Sequence, residues 1–142
     1  MANKIVINDG YKTYDIENQD GKLLGQFSFN PSDTNIIHRH AEVVEALEKL
    51  ELDISTKADE TNLNEIFKEV EAVVYEKINY LLNVDVAENF FSIMGPFSPL
   101  ASGQYFIESV IDAIGQAISA ETGERVKKIN SKIQKHTSKY HR

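Results

Sequence analysis

Alternating apolar and polar residues near the start of the chain predict a small antiparallel sheet. Residues 4–7 form a short run rich in β-branched side chains, and the Asn-Asp-Gly sequence at residues 8–10 predicts a turn after it. Residues 12–17 and 22–29 alternate, with a second turn signal at residues 18–21 between them. The pattern therefore predicts a three-stranded β-meander with one apolar face. Such a small sheet needs a helix packed against it, because it is marginally stable alone.

Two long amphipathic helices are predicted after the sheet. Residues 30–33 read Asn-Pro-Ser-Asp, in which Asn30 suits the N-cap and the proline suits the first helical position. From there an apolar stripe at spacings of three and four residues predicts a helix to about Leu52. Residues 53–61 are polar and predict a linker, and a second striped helix is predicted over residues 62–83. The short linker predicts that the two helices pack antiparallel.

The remaining chain predicts a short helix, an apolar loop and a C-terminal helical segment. Asp85 suits the cap of the short helix, which a left-handed Gly95 followed by Pro96 would end. From about Gln104 onward, apolar residues recur every three or four positions. This spacing predicts either one long helix or two helices broken near Gly123.

These elements predict an α+β fold in a single domain over residues 1–142. A small N-terminal antiparallel β-meander, residues 1–30, packs on an α-helical bundle. Residues 31–103 form the helical body and its aromatic-rich loop, and residues 104–142 form a long C-terminal helical segment with a basic end. A chain of 142 residues hides roughly two-thirds of its extended surface on folding, which is enough for a hydrophobic core.

Composition narrows the function classes. The sequence contains no cysteine, which excludes disulfide scaffolds, thiol nucleophiles and thiolate metal sites. No apolar leader follows Met1, and the uncharged stretch at residues 89–107 is too interrupted by Gly and Pro to predict a membrane span. These features lead us to expect a cytoplasmic protein without a membrane partner. A net charge of −7 disfavours a protein that coats nucleic acid generally.

Charge is segregated along the chain. Residues 41–76 hold eleven acidic and three basic side chains, whereas residues 125–142 hold seven basic and no acidic ones. The candidate electrostatic contact residues are the basic side chains Arg125, Lys127, Lys128, Lys132, Lys135 and Lys139. One interpretation is that this basic end folds back on the acidic helices or stays solvated. The other is that it reaches a partner, either a second copy in a homo-oligomer or an acidic client; contact with nucleic acid is a weaker third.

The sequence shows no recognisable catalytic or cofactor-binding pattern. Glycine-rich phosphate loops, nucleophile elbows and zinc-protease helices are missing from it. His38 and His40 are two residues apart on a predicted helix and therefore diverge too far to share a metal ion. His40 lies on the apolar stripe and is predicted to be a partly buried, hydrogen-bonded side chain. We therefore predict a non-enzymatic protein without cofactor or metal.

The uncharged stretch supplies the candidate partner surface. Its candidate contact residues are the apolar and aromatic side chains Phe90, Phe91, Met94, Phe97, Leu100 and Tyr105. Phenylalanine and methionine adapt to varied partners, which suits a surface that binds reversibly. The alternative is that these side chains complete the core against the sheet, and it applies most strongly to Phe90, Phe91 and Phe106.

Three parts of the chain resemble tail assembly chaperones of long-tailed phages and prophages of Gram-positive bacteria. Residues 27–36 are similar to that family's junction between sheet and helix, and read FSFNPSDTNI. Residues 84–91 and 95–98, VDVAENFF and GPFS, are similar to the segment before its C-terminal helix. The ending at residues 133–140, IQKHTSKY, also resembles the family.

The resemblance implies a protein of the host bacterial cytoplasm that is absent from the mature virion. Such a chaperone coats the long helical tape measure protein until tail-tube subunits polymerise around it. The family also implies a frameshifted longer form whose extra domain recruits the tail tube protein. The alternatives are a structural tail component of the terminator or connector type and, more weakly, a nucleic-acid-binding regulator that uses the basic end.

Overall fold

The protein has an α+β fold, as predicted, with an antiparallel β-hairpin followed by helices. The computed structural model describes residues 2–83 and 87–140, with side chains described up to residue 124 apart from that of Asn89. The elements are β1 (Lys12–Glu17), β2 (Leu23–Phe29), α1 (Thr34–Lys57), α2 (Leu63–Leu82), α3 (Ala87–Phe90) and α4 (Phe106–Tyr140). Because side chains of α4 are described only to Glu124, the extended basic end of the C-terminal segment stays a prediction.

The sheet has two strands in the described part of the chain, so the predicted three-stranded meander is wrong. β1 pairs antiparallel with β2, and Tyr14 lies opposite Phe27. Residues 4–7, the predicted first strand, belong to no strand and are exposed. We refer to residues 4–7 as the N-terminal segment. Their β-propensity is satisfied only where a strand edge lies within reach, and the local pattern does not specify that.

The turn between the two strands is the predicted one at residues 18–21. The side-chain oxygen of Asn18 accepts hydrogen bonds from the N–H groups of Asp20 and Lys22, at 2.9 and 3.0 Å. Gly21 has a φ of 82°, a left-handed conformation that glycine adopts without steric cost. This turn sets the register that places Phe27 and Phe29 on the buried face.

The first helix begins three residues later than predicted. Asp33 is its N-cap, and its carboxylate accepts a hydrogen bond from the N–H of Asn35 at 2.9 Å. The side-chain oxygen of Asn30, the predicted cap, instead accepts hydrogen bonds from the N–H and the hydroxyl of Ser32. These bonds form a turn before the helix. The sequence offers both residues as caps, and the turn at residues 30–33 leaves that role to Asp33.

The first two helices pack antiparallel, as predicted. Arg39, early in α1, donates to the carbonyl of Leu81, late in α2, and the Tyr80 hydroxyl donates to Glu42 at 2.6 Å. Helix α1 extends to Lys57, beyond the predicted end at Leu52, so the linker is shorter than predicted. Helix α2 matches its predicted range to within a residue at each end.

The short helix α3 differs from the prediction in its end. It stops at Phe90 and does not extend to Met94. Left-handed backbone is adopted by Asn83, with a φ of 56°, and by Gly103, with a φ of 90°, but not by Gly95. The predicted cap of this helix, Asp85, lies outside the described residues.

One hydrophobic core contains side chains from β2 and all four helices. Its fully buried members include Phe29, Ile36, Ile78, Leu81, Ile107 and Ile114. On the sheet side, Phe27, Phe29 and Tyr14 stack, with ring centroids 5.2 to 5.7 Å apart. The apolar stripes that predicted the helices are therefore the faces that meet in this core.

Candidate functional site

The loop between α3 and α4, residues 91–105, is closed on itself by backbone hydrogen bonds. We refer to it as the aromatic loop. The N–H of Leu100 donates to Gln104 at 2.8 Å, and the N–H of Phe106 donates to Ser98 at 2.9 Å. The N–H of Ile107 donates to the carbonyl of Pro96 at 2.8 Å. These bonds fix the loop across the first turn of α4.

Phe90 and Phe91 lie in the core, which corrects the prediction that they form a partner surface. They are 2% and 4% exposed. The Phe90 ring packs on Gly25 of β2, where an added Cβ would lie 3.1 Å from its Cζ atom. The Phe91 ring stacks on Tyr75 of α2, with centroids 5.4 Å apart. Both rings therefore complete the core against the sheet and α2, the alternative that the sequence left open.

Phe97 is also buried, at 5% exposure. The prediction that it forms part of a partner surface is therefore wrong as well. Its ring stacks almost parallel on Phe67 of α2, with centroids 5.0 Å apart and an interplanar angle of 4°. Tyr105 meets both rings edge-on, at 5.6 and 5.9 Å. This three-ring cluster holds the aromatic loop against α2.

A smaller apolar set in the aromatic loop remains accessible. Met94, Leu100 and Tyr105 are half-buried, so these predicted contact residues still offer part of their surface. Ile93 is 51% exposed and was not among the predicted contacts. Its position in the uncharged stretch is the signal that could have identified it. The accessible candidate surface is therefore Ile93, Met94, Leu100 and Tyr105.

Of the predicted electrostatic contact, the structure describes the acidic side chains and not the basic ones. Glu48 and Glu51 of α1 face Glu108 and Asp112 of α4 across a groove between the two helices. The predicted basic residues Arg125, Lys127, Lys128, Lys132, Lys135 and Lys139 lie outside the residues whose side chains are described. The groove is lined by acidic side chains beside the end of the aromatic loop.

Two hydrogen bonds fix the acidic groove beside that loop. The carboxylate of Glu108 accepts from the N–H of Tyr105 at 2.9 Å, and Gln104 donates to Asp112 at 3.3 Å. Burial, and then the charges of Glu108 and Glu48, raise the pKa of Glu51 above its ordinary value. The groove therefore concentrates negative charge at the end of the aromatic loop.

His40 is a partly buried, hydrogen-bonded side chain, as predicted. Its Nε2 atom donates to the carbonyl of Ile111 at 3.0 Å. Gly115 of α4 lies against the ring, since an added Cβ would be 3.0 Å from His40 Nε2. This close approach was not predicted, although Gly115 follows Ile111 and Ile114 on the buried face of α4.

Neither a metal-binding cluster nor a membrane-spanning helix is found among the described residues. Among them, no group of three or more His, Asp or Glu side chains is placed to hold a metal ion. In the same part of the chain, no helix combines the length and apolar character needed to cross a membrane. What the arrangement presents instead is apolar side chains on a fixed loop next to an acidic groove.

Comparison of the chain with protein-family models, with curated proteins and with solved structures gave no match.

Proposed function

We propose that this protein is a phage tail assembly chaperone that binds the tape measure protein and keeps it soluble, without catalysis. The proposal rests on the resemblance of residues 27–36, 84–91, 95–98 and 133–140 to that family. It also includes the family's other features: action in the host cytoplasm, absence from the mature virion, and a frameshifted longer form that recruits the tail tube protein. Self-association is expected separately, from the segregation of charge along the chain.

The accessible side chains of the aromatic loop are the structural observation that supports this proposal best. Ile93, Met94, Leu100 and Tyr105 lie on a loop that carries no charge. A long helical client presents apolar stripes, and a chaperone must bind them and later release them. Partly buried side chains on a fixed backbone suit such a weak contact, because little apolar area is gained at each site.

Co-expression with the tape measure protein tests the proposal. We expect a soluble complex that contains several copies of the chaperone for each tape measure chain, measured by light scattering after purification. Ile93→Ser should lower the number of bound copies, because it removes an exposed apolar contact. Leu52→Ser is the matched control, since Leu52 is also a large apolar residue and is 63% exposed, against 51% for Ile93, but lies on α1.

Two outcomes would contradict this assignment. One is a tape measure protein that stays insoluble in the presence of the chaperone. The other is detection of the protein in purified phage particles by mass spectrometry, which would favour the alternative of a structural tail component. Equal effects of Ile93→Ser and Leu52→Ser would remove the aromatic loop as the contact while leaving the chaperone role intact.

A further inference from the structure

A long groove runs beside the contact between α1 and α4 and is open to solvent. One stretch of it is lined by Ile37 of α1 and by the exposed Gln116 and Ser119 of α4. The acidic groove described above is its continuation, since Asp112 lines both stretches. On α1 the two stretches together extend from Ile37 to Glu51, about 20 Å at a helix's rise per residue. We refer to the whole as the α1–α4 groove.

Each helix presents one face to this groove. The α1 residues that line it recur at spacings that place them on one side of a helix: Ile37, His40, Val44, Leu47, Glu48 and Glu51. The two helices run antiparallel, because Glu51 lies near Glu108 at one end of the groove and Ile37 lies near Ser119 at the other. A groove between two paired helices is the geometry into which a third amphipathic helix packs.

The α1–α4 groove combines accessible apolar surface with negative charge. Ile37 is 42% exposed and Val44 is half-buried, so both offer apolar area to a partner. The carboxylates that line the groove are those of Glu48, Glu51, Glu108 and Asp112. Among the described side chains that line it, none belongs to a lysine or an arginine. The complementary partner is therefore a helix with an apolar stripe beside a basic one.

The end of the chain has this pattern in its sequence. We refer to residues 125–140 as the basic segment, which contains no acidic residue. Its apolar positions recur at helical spacing, at Val126, Ile129, Ile133 and Tyr140. A second set at helical spacing is basic, at Lys128, Lys132, Lys135 and Lys139. From Val126 to Tyr140 a helix measures about 20 Å, which matches the length of the groove.

Helix α4 directs the basic segment away from the groove of its own molecule. The α1–α4 groove ends near Ser119, and α4 continues in the same direction to Tyr140. For the segment to reach its own groove, this helix would have to reverse its direction. The identical groove of another copy carries no such restriction, so a second copy is the occupant that fits both the charge and the course of α4.

We propose that the basic segment of one copy docks in the α1–α4 groove of a second copy. Each copy then offers one segment and accepts one, so the contact is heterologous and joins copies into rings or open chains. The proposal names the two surfaces of the self-association that we expect from the segregation of charge. It does not depend on the chaperone role, and its test uses the protein alone, so its failure would leave that role untouched.

Reciprocal charge reversal tests the pairing. One double variant, Glu48→Lys with Asp112→Lys, reverses two exposed charges of the groove. The other, Lys132→Glu with Lys135→Glu, reverses two charges of the basic segment. We expect each variant alone to associate at least tenfold more weakly than the natural chain in sedimentation at low salt, because the attraction across the contact is lost. An equimolar mixture should form a mixed dimer, since the natural segment of one variant then meets the natural groove of the other.

A matched variant controls for net charge. Glu69→Lys with Glu76→Lys makes the same change in charge at two exposed positions of α2, away from the groove, and should associate as the natural chain does. Three results would overturn the proposal. They are a natural chain that stays monomeric at low salt, a groove variant that associates as tightly as the natural chain, and a mixture of the two reversed variants that forms no mixed dimer.

Carbodiimide coupling of the natural chain provides an independent test. This reagent joins a lysine amine to a carboxylate without a spacer, so it reports pairs in contact. Isotope-labelled and unlabelled chains are mixed, coupled and digested, and mass spectrometry shows whether each joined pair of peptides comes from two copies. We expect lysines of the basic segment to couple to Glu48 or Asp112 of another copy. Coupling confined to single molecules, or directed only to carboxylates of α2, would contradict the proposal.

Discussion

The N-terminal segment and the aromatic loop are both apolar, but they occupy opposite positions relative to the core. Ile5, Val6 and Ile7 are exposed, while Phe97 in the aromatic loop is buried. The difference lies in which neighbouring surface each segment contacts. The aromatic loop is closed by hydrogen bonds between residues 96–100 and 104–107, which press its rings onto α2. The N-terminal segment belongs to no strand in the described part of the chain, and its side chains are exposed there.

Apolar character alone does not place a segment in the core. A buried ring needs a neighbouring surface with room for it, and Phe67 supplies one for Phe97. A strand pairs only where the edge of a sheet offers backbone N–H and C=O groups that are oriented to bond with it. Four predictions test the contrast between the two regions, in order of expected effect.

The largest effect is expected within the aromatic loop itself. Phe97→Ala should lower the free energy of unfolding by about 3–5 kcal/mol, because it removes a buried ring and leaves a cavity beside Phe67. Ile93→Ala, in the same loop, should change it by less than about 0.5 kcal/mol, since Ile93 faces solvent. Urea denaturation followed by circular dichroism measures both. Equal losses would show that the loop is not divided into buried and accessible side chains.

A second prediction tests the packing of the aromatic rings on the sheet. Gly25→Ala places a Cβ 3.1 Å from the Cζ atom of Phe90, and the ring must move. We expect a net loss of about 1–2 kcal/mol, since the cost of overpacking exceeds the gain from replacing a strand glycine. Gly123→Ala is the control: outside the backbone of its own helix, no atom of the described residues lies within 4 Å of its added Cβ, and the helix should gain up to about 1 kcal/mol.

A gain in stability from Gly25→Ala would contradict the contact between Phe90 and β2. It would indicate that the ring has space to withdraw, and that the residues after α2 pack less tightly on the sheet than the geometry implies. Thermal unfolding of the two alanine variants, measured side by side, provides this comparison.

A third prediction concerns the anchor of the N-terminal segment. Asn30→Ala removes the hydrogen bond to the Asp9 carbonyl and the hydrogen bonds from Ser32. It should lower the free energy of unfolding by about 1 kcal/mol. Asn30→Asp keeps an acceptor for Ser32 but sets a carboxylate oxygen against the Asp9 carbonyl in place of the amide donor, so it should also lower the free energy of unfolding. In both variants we expect faster amide exchange at Tyr11, because the carbonyl of Asp9 is no longer held. Unchanged exchange would show that another contact anchors the segment.

Much of the fold was predictable because it depends on local patterns. The stripes of α1 and α2 and the Asp-Gly turn between β1 and β2 are encoded within a few residues. The turn and α2 lie where they were predicted, and α1 forms in the predicted region but begins three residues later and ends five residues later. The predicted N-cap was wrong because asparagine and aspartate suit that position equally well, and both Asn30 and Asp33 were available. The third strand was wrong because its pairing depends on an edge, and the local sequence does not show where that edge lies.

The candidate site was less predictable, since it depends on contacts distant in sequence. An uncharged aromatic stretch has the same pattern whether its rings are buried or exposed. Phe97 is buried because Phe67, on α2, lies parallel to it, and Phe90 is buried because Gly25 leaves room on β2. Neither partner is marked by spacing from the loop. His40 was predictable because its place on an apolar stripe implies burial and a hydrogen-bond partner.

The smallest effect is expected at the groove where the aromatic loop ends. Burial raises the pKa of Glu51 above its ordinary value of 4.5, with Glu108 and Glu48 adding to the shift. The folded chain therefore binds this proton more tightly than the unfolded chain does. It follows that charged Glu51 lowers the free energy of unfolding at pH values above its raised pKa, and that this loss is relieved as the pH falls toward 4.5.

Glu51→Gln should accordingly stabilise the protein slightly at neutral pH. This gain in stability should disappear at pH values below the ordinary pKa of a glutamate carboxyl. The effect is small because Glu51 is only partly buried and solvent screens its neighbours. Glu76→Gln changes the net charge equally but at an exposed position of α2, so it separates the groove from a general charge effect. Urea titrations of both variants across acidic and neutral pH measure the difference. A pH-independent advantage for Glu51→Gln would mean that the charge of Glu51 in the groove at the end of the aromatic loop imposes no electrostatic cost on the fold.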